Sequence, residues 1–232
     1  MLVAEALRLA AIEVLRPHAA VVADDGYPTL ARHLVFDSRA VSLQDLDRSQ
    51  AFTPVLAVYT AESGARLRGP LSDALDISAD AVIDIVAELA VVASDEDGDY
   101  ADAMALDDPE ARLVLAALTS QVRFLFEHSQ KGRLWRCICK QIREIEMKTF
   151  AVPQLGLRYQ RTTMRLHCDV MDDDFDVPAG ELPEPMRTLF AALPAGSYAK
   201  AKLAALAAHF NPDVLPDLDG VTVTTGPVQS GL

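Results

Sequence analysis

The sequence predicts an α+β fold: a mixed or antiparallel sheet with helices packed on one face, followed by a C-terminal helical appendage. Three observations lead there. The chain opens on an amphipathic run; apolar residues alternate over 79–93 and 155–170; and two further runs, near 107–129 and 134–145, place apolar residues three and four apart.

In chain order, Leu2, Ala6, Leu9, Ile12 and Leu15, with Ala10 and Val14, fall on one stripe, while Glu5, Arg8 and Glu13 take the other side. A half-buried helix is expected, ended by Pro17. Leu34-Val-Phe-Asp-Ser-Arg39 is an extended apolar segment running into a polar cluster. After a turn over 45–49, Pro54 suits only the start or edge of a strand, and the β-branched and aromatic residues that follow predict a strand over 54–60. Gly64, Gly69 and Pro70, with Arg66 and Arg68, make 61–80 an exposed hairpin or loop. The 79–93 run fits two periods. At period two, Ile83, Ile85, Ala87, Leu89 and Val91 share a face opposite Asp84 and Glu88; at 3.6, Val82, Ile85, Val86, Leu89 and Val92 form a helical stripe. The abundance of Val and Ile and the acidic turn over 94–99 favour the strand.

Asp107-Asp-Pro-Glu110 starts a helix expected to reach Ser129, burying Leu113, Leu115, Leu118, Val122, Leu125 and Phe126. Beyond Lys131-Gly132, the stripe Leu134, Ile138, Ile142 and Ile145 predicts a second helix with a basic face. Residues 155–170 then alternate cleanly, with Thr162, Met164, Leu166, Cys168 and Val170 on one side and Tyr159, Arg161, Thr163, Arg165 and His167 on the other. Prolines at 178, 183 and 185 mark a linker. The core is therefore expected over 1–174 and an arm over 175–232, with short alanine-rich helices near 185–192 and 197–209 and a Val221–Thr225 stretch.

Composition narrows function. Half of the 232 residues are apolar and the formal net charge is −13, which argues against a general nucleic-acid binder and against adhesion to anionic lipid. The charge is segregated: 1–130 carry 9 basic and 22 acidic residues, 131–170 carry 9 and 3, and 171–232 carry 3 and 9. A basic middle between acidic ends suits charge-complementary contact between copies or with a partner, as well as a solvated basic helix face. Cys137, Cys139 and Cys168 are an odd set, two of them too close to pair, as in a chain made in a reducing compartment. No signal segment and no apolar run long enough for a membrane span is read, so synthesis in the cytoplasm is expected.

Chemistry-bearing motifs are few. Cys137-x-Cys139 lacks the paired spacing of a zinc site; on a helix the two sulfurs would point about 200° apart, which favours core roles. Asp95–Asp99 departs from a calcium loop in the place of its glycine and in Leu106 at the twelfth position, and Asp172–Asp174 has no complementary ligands. His18, His33, His128, His167 and His209 are scattered, and no nucleophile elbow, Walker loop or GxGxxG occurs. No catalytic, cofactor or metal residue is assigned, and no enzyme activity is expected.

The order helix, "VFDSR", spaced acidic turn, "PVLAVYT" and charged hairpin resembles the N-terminal half of the tail terminator (tail completion) proteins of long-tailed bacteriophages and phage-like particles, over roughly residues 1–170. The resemblance implies a structural virion protein at the tail–neck junction. Such a protein forms a ring, hexameric in the family, that caps the tail tube, stops its growth and meets the head–tail connector. Its partners would be further copies of itself, the tail tube protein and the connector or adaptor, with DNA passing through the lumen unbound. Candidate interface residues are Asp37 and Arg39, in a turn that either caps local backbone or keys one subunit to the next, Arg66 and Arg68 on the glycine-containing loop, and Arg161 and Arg165 on the polar side of the last strand. The chain is longer than the usual family size, and 175–232 has no counterpart. Another neck component, or a small α+β enzyme, is the alternative.

Overall fold

A computed structural model describes residues 1–46, 50–65, 79–95, 98–103, 109–152, 157–175 and 181–210. Its elements are α1 (Leu2–Leu15), α2 (His18–Ala23), β1 (Val35–Asp37), β2 (Thr53–Ala65), β3 (Ala79–Asp95), β4 (Gly98–Ala103), α3 (Pro109–Glu127), α4 (Arg133–Arg136), β5 (Cys139–Val152), β6 (Leu157–Val170), α5 (Met186–Ala192) and α6 (Tyr198–Ala207). The fold is α+β, as its patterns predict.

One mixed sheet runs β1-β2-β3-β6-β5, parallel at β1–β2 and antiparallel elsewhere. The 17-residue β3 is its spine. One side of β3 pairs with β2; the other is shared, Ala79–Glu88 with β6 and Ala90–Asp95 with β4. The two periods available to 79–93 thus resolve as strand, with Ile83, Ile85, Ala87 and Leu89 all buried. They meet Leu56 and Val58 of β2 and Met164, Leu166, Cys168 and Val170 of β6 in a single core on the helix-bearing side.

The first helix is buried far beyond an amphipathic stripe: eleven of its fourteen residues are buried, Ala4, Ala11 and Glu13 among them. Its neighbours explain this, since it touches β1, β2 and β3 on one side and α3, α4, α5 and α6 around the rest. Small alanines let those elements approach. Glu13 accepts the His18 N–H at 2.9 Å as the chain turns past Pro17. Burial pushes its pKa above the usual carboxylate range, and the His18 contact pulls it back only in part. The start of α1 is held from 170 residues away: the Asp173 carboxylate accepts the Leu2 and Val3 N–H groups at 2.8 and 2.6 Å. A carboxylate here satisfies orphan donors and opposes the positive helix end. The acidic 172–174 cluster therefore has a structural use.

Several expectations need correction. The helix expected over 134–145 is one turn, α4, followed by β5. Register shifts between Cys139 and Gln141 and between Ile142 and Glu144 each put an extra residue into β5. The bulges therefore carry Cys139, Ile142 and Ile145 to the core face opposite Val170, Cys168 and Leu166. Two successive bulges convert the period-two signature into a spacing of three, which imitates a helix. Cys137 and Cys139 accordingly do not share a helix; the first is exposed and the second buried. The strand expected over 54–60 extends through Ala65, into the expected loop, and β4 was not foreseen. Leu113 of α3 is exposed, whereas Leu115, Leu118, Val122, Leu125 and Phe126 are buried as expected.

At the end of α3, Phe126 stacks on the fully buried Trp135, centroids 4.3 Å apart. Gly132 permits this close return, since a Cβ there would lie 1.9 Å from the Leu125 carbonyl oxygen. Past the boundary expected at 174/175, Leu182, Met186, Leu189, Leu193, Ala199 and Leu203 enter the same core as the preceding residues. Leu206, Ala207 and Phe210 pack against it as well, so through residue 210 this segment is part of the packed body. The Val221–Thr225 stretch lies outside the described residues.

Candidate functional site

The face of the sheet turned away from the helices divides into two zones. Near β1, Leu34, Phe36, Val55, Ala57 and Ala90 form a small apolar cluster, against which Val41, Leu46, Tyr59 and Val86 also pack. The 38–46 segment supplies two of these residues. It is held by Ser42 and Asp45, which cap the short 3-10 turn Leu43–Asp45 reciprocally.

Beyond it, β3, β6 and β5 carry a ladder of charge. Asp80, Asp84 and Glu88 recur every four residues along β3, and register sets them opposite Asp169, Arg165 and Arg161 of β6. Arg165 grips Asp84 with two bonds, Nε to Oδ1 at 2.8 Å and Nη2 to Oδ2 at 2.7 Å. Arg161 Nε donates to Glu88 Oε2 at 2.7 Å. The bidentate partner pushes the Arg165 pKa further up, so its charge is permanent. Asp80 and Asp169 are like charges face to face, and Arg143 resolves the conflict by bridging them, with Nε 2.9 Å from Asp169. Arg143 is the extra residue of the second β5 bulge, and bulges commonly re-aim a side chain in this way.

The expected interface residues separate in space. Arg161 and Arg165 lie together on this ladder. Asp37 lies at the end of β1, where its carboxylate accepts from Tyr198 Oη at 2.8 Å and contacts Arg8, thereby tying β1 to α1 and α6. Arg39 grips Asp45 at 2.8 and 3.2 Å and lies over the Phe36 ring, 4.0 Å from guanidinium carbon to centroid. That grip holds the Asp45 carboxyl well below the usual carboxylate range. Both residues are thus engaged within the chain. Arg66 and Arg68 lie outside the described residues.

Sequence reasoning placed Asp84 and Glu88 on a wet strand face and Arg161, Arg165 and His167 on another; an antiparallel register would have paired them. Arg143 and Glu144 were hidden by the helical reading of 134–145, and Glu146 lies just past its end. On the opposite, core side of the sheet, contact with Cys139 and burial push the Cys168 thiol far up, so Cys168 is protonated and unreactive at neutral pH. A cleft of about 420 Å³ is lined by Phe126, Trp135, Arg136, Cys139 and Ile142 among others. Arg136 is already committed there, donating to the carbonyls of Phe126 and Ser129 at 2.8 and 2.6 Å. None of the described helices is long and apolar enough to cross a membrane. No protein-family model matches the chain, and a search of curated proteins finds no match.

Proposed function

We propose that this chain is a structural virion subunit that closes into a ring on the end of a completed phage tail tube, ends tube polymerisation and provides the joint to the head connector. The observation that carries this reading is the open, ion-paired sheet face, bounded among the described residues by β5 as an outer strand. From Glu144 to Phe150, β5 runs in unbroken register with β6, so its far edge offers a regular row of backbone donors and acceptors. A neighbouring copy continuing that edge would close a ring and leave no free margin. The order of the first elements, matching the terminator-like pattern in the sequence, supports the same role. So does the net charge of −13: an acidic ring repels phosphates and lets a duplex pass without adhering.

The 175–232 segment, expected as an arm, can embrace an adjacent subunit or the connector only beyond residue 210, because its helices pack into the core as far as Phe210. Native mass spectrometry tests the ring directly. The expected species is a closed multiple of the 25.1 kDa chain, six copies by the resemblance. A monomer at every concentration overturns the proposal. Particles assembled without the protein test its position: tails of irregular length support a terminator, whereas normal tails without heads indicate a connector adaptor.

A further inference from the structure

At the β5 end of the open face, Glu144, Glu146 and His167 bring one ligand atom each to within 4.8 Å of the others. Glu144, just past the bulge at Arg143, stands directly opposite His167 across the strand pair, and Glu146 follows two residues on. His167 Nε2 is shielded from solvent and makes no hydrogen bond. A shielded polar atom left unmatched calls for an explanation. Its separation from Glu146 Oε1 is 3.5 Å. That exceeds the ~2.7–3.2 Å of an ordinary N–H···O bond. It is close to the roughly 3.4 Å between two ligands held about 2.0–2.1 Å from one tetrahedral cation.

We propose that Glu144, Glu146 and His167 bind one zinc-type divalent cation, His167 through Nε2 and each glutamate through one oxygen, with the fourth position open. Imidazole with two carboxylates suits zinc or its borderline neighbours; magnesium and calcium prefer oxygen ligands throughout. Lys148, whose ammonium contacts Glu146 Oε2, holds the place of the cation in the metal-free protein. Its side chain is 66 % exposed, so it can turn into water as the metal enters. This site does not depend on the ring assignment.

The test is titration of the chelator-treated full chain with Zn²⁺ by calorimetry, and with Co²⁺ by visible absorption. One ion should bind, and the His167 imidazole nitrogens of the wild-type chain should shift in NMR spectra on adding Zn²⁺. His167→Ala and Glu146→Gln should each weaken binding by at least the ~10–100-fold typical of losing a supporting group around a metal. Lys148→Ala should tighten it several-fold, and Cys137→Ser and His128→Ala should leave it unchanged. Unaltered His167 resonances with Zn²⁺ present would overturn the proposal, as would undiminished affinity in a folded His167→Ala chain or loss of binding in Cys137→Ser.

Discussion

On the helix-covered face, Ile83, Ile85, Met164 and Leu166 are at most 1 % exposed. One residue along the same strands, Asp84 pairs with Arg165, and Arg161 pairs with Glu88, while the two arginines keep 30 % and 40 % of their side-chain surface in solvent. The same β3–β6 pairing thus serves two purposes. Apolar burial supplies the free energy of folding, at roughly 25 cal/mol per Å² removed from water. The charges add little energy but fix the register, because a slip of one residue would turn every side chain to the wrong face and break each ion pair.

The largest test of this contrast lies at the helix side. Trp135 is fully buried against Phe126. Trp135→Ala should cost about 3–5 kcal/mol, read as a lowered urea midpoint with the slope unchanged. A loss below ~1 kcal/mol would mean that the helix-side core does not carry the fold.

Next comes an ion pair that joins β1 to the helices rather than lying on the open face. Arg8 and Asp37 keep only 14 % and 11 % of their side-chain surface. Asp37→Ala leaves the Tyr198 hydroxyl without its acceptor and takes from Arg8 one of its two carboxylates, Glu5 keeping the other, so a loss of about 1–3 kcal/mol is expected in chemical denaturation. The contrast between the faces sharpens if this one pair outweighs any rung of the ladder. It breaks if the two prove equal.

Legibility followed the same division. Period-two alternation in β3 and β6 was readable because the two strands pair in unbroken register over ten residues. The N-terminal helix was readable in position but not in depth, since Val3, Ala4, Leu7, Ala11 and Glu13 lie off the foreseen stripe and are buried in a helix surrounded by elements as distant as α5 and α6, nearly 200 residues away. In β5 the bulges removed the alternation itself. The charge ladder was half visible: its residues lay on foreseen polar faces, but pairing Asp84 with Arg165 requires a register that spans 81 residues. The cluster of Glu144, Glu146 and His167 was invisible because Glu144 fell inside the helix expected over 134–145 and Glu146 just past its end, so neither was placed on a strand beside His167.

A charge inside the helix-side core should behave differently from those on the open face, and Glu13 provides the measurement. Its folded pKa lies above the ordinary value of 4.5, chiefly through burial. The native state therefore holds more protons than the unfolded chain as pH rises from about 4.5, and stability falls through that window. Glu13→Gln keeps an acceptor for the His18 N–H and removes the titration. The variant should match wild type near pH 4 and exceed it at pH 7; a wild-type chain that gains stability over this range relative to Glu13→Gln contradicts the assignment.

The smallest effect belongs to the ladder. In a double-mutant cycle with Asp84→Ala and Arg165→Ala, directly opposite residues should couple by only ~0.2–1 kcal/mol. Because Arg165 reaches solvent, that coupling should shrink in 1 M salt, where the screening length falls to about 3 Å. Trp135→Ala should retain its full cost at the same salt concentration. The two faces would then be distinguished by salt response as well as by magnitude: one held by burial, which added ions do not screen, and one set in register by charges that a partner's surface could replace. A coupling above ~2 kcal/mol that is insensitive to salt would mean that Asp84 and Arg165 are desolvated in the folded chain, and that their face is covered even in the isolated subunit.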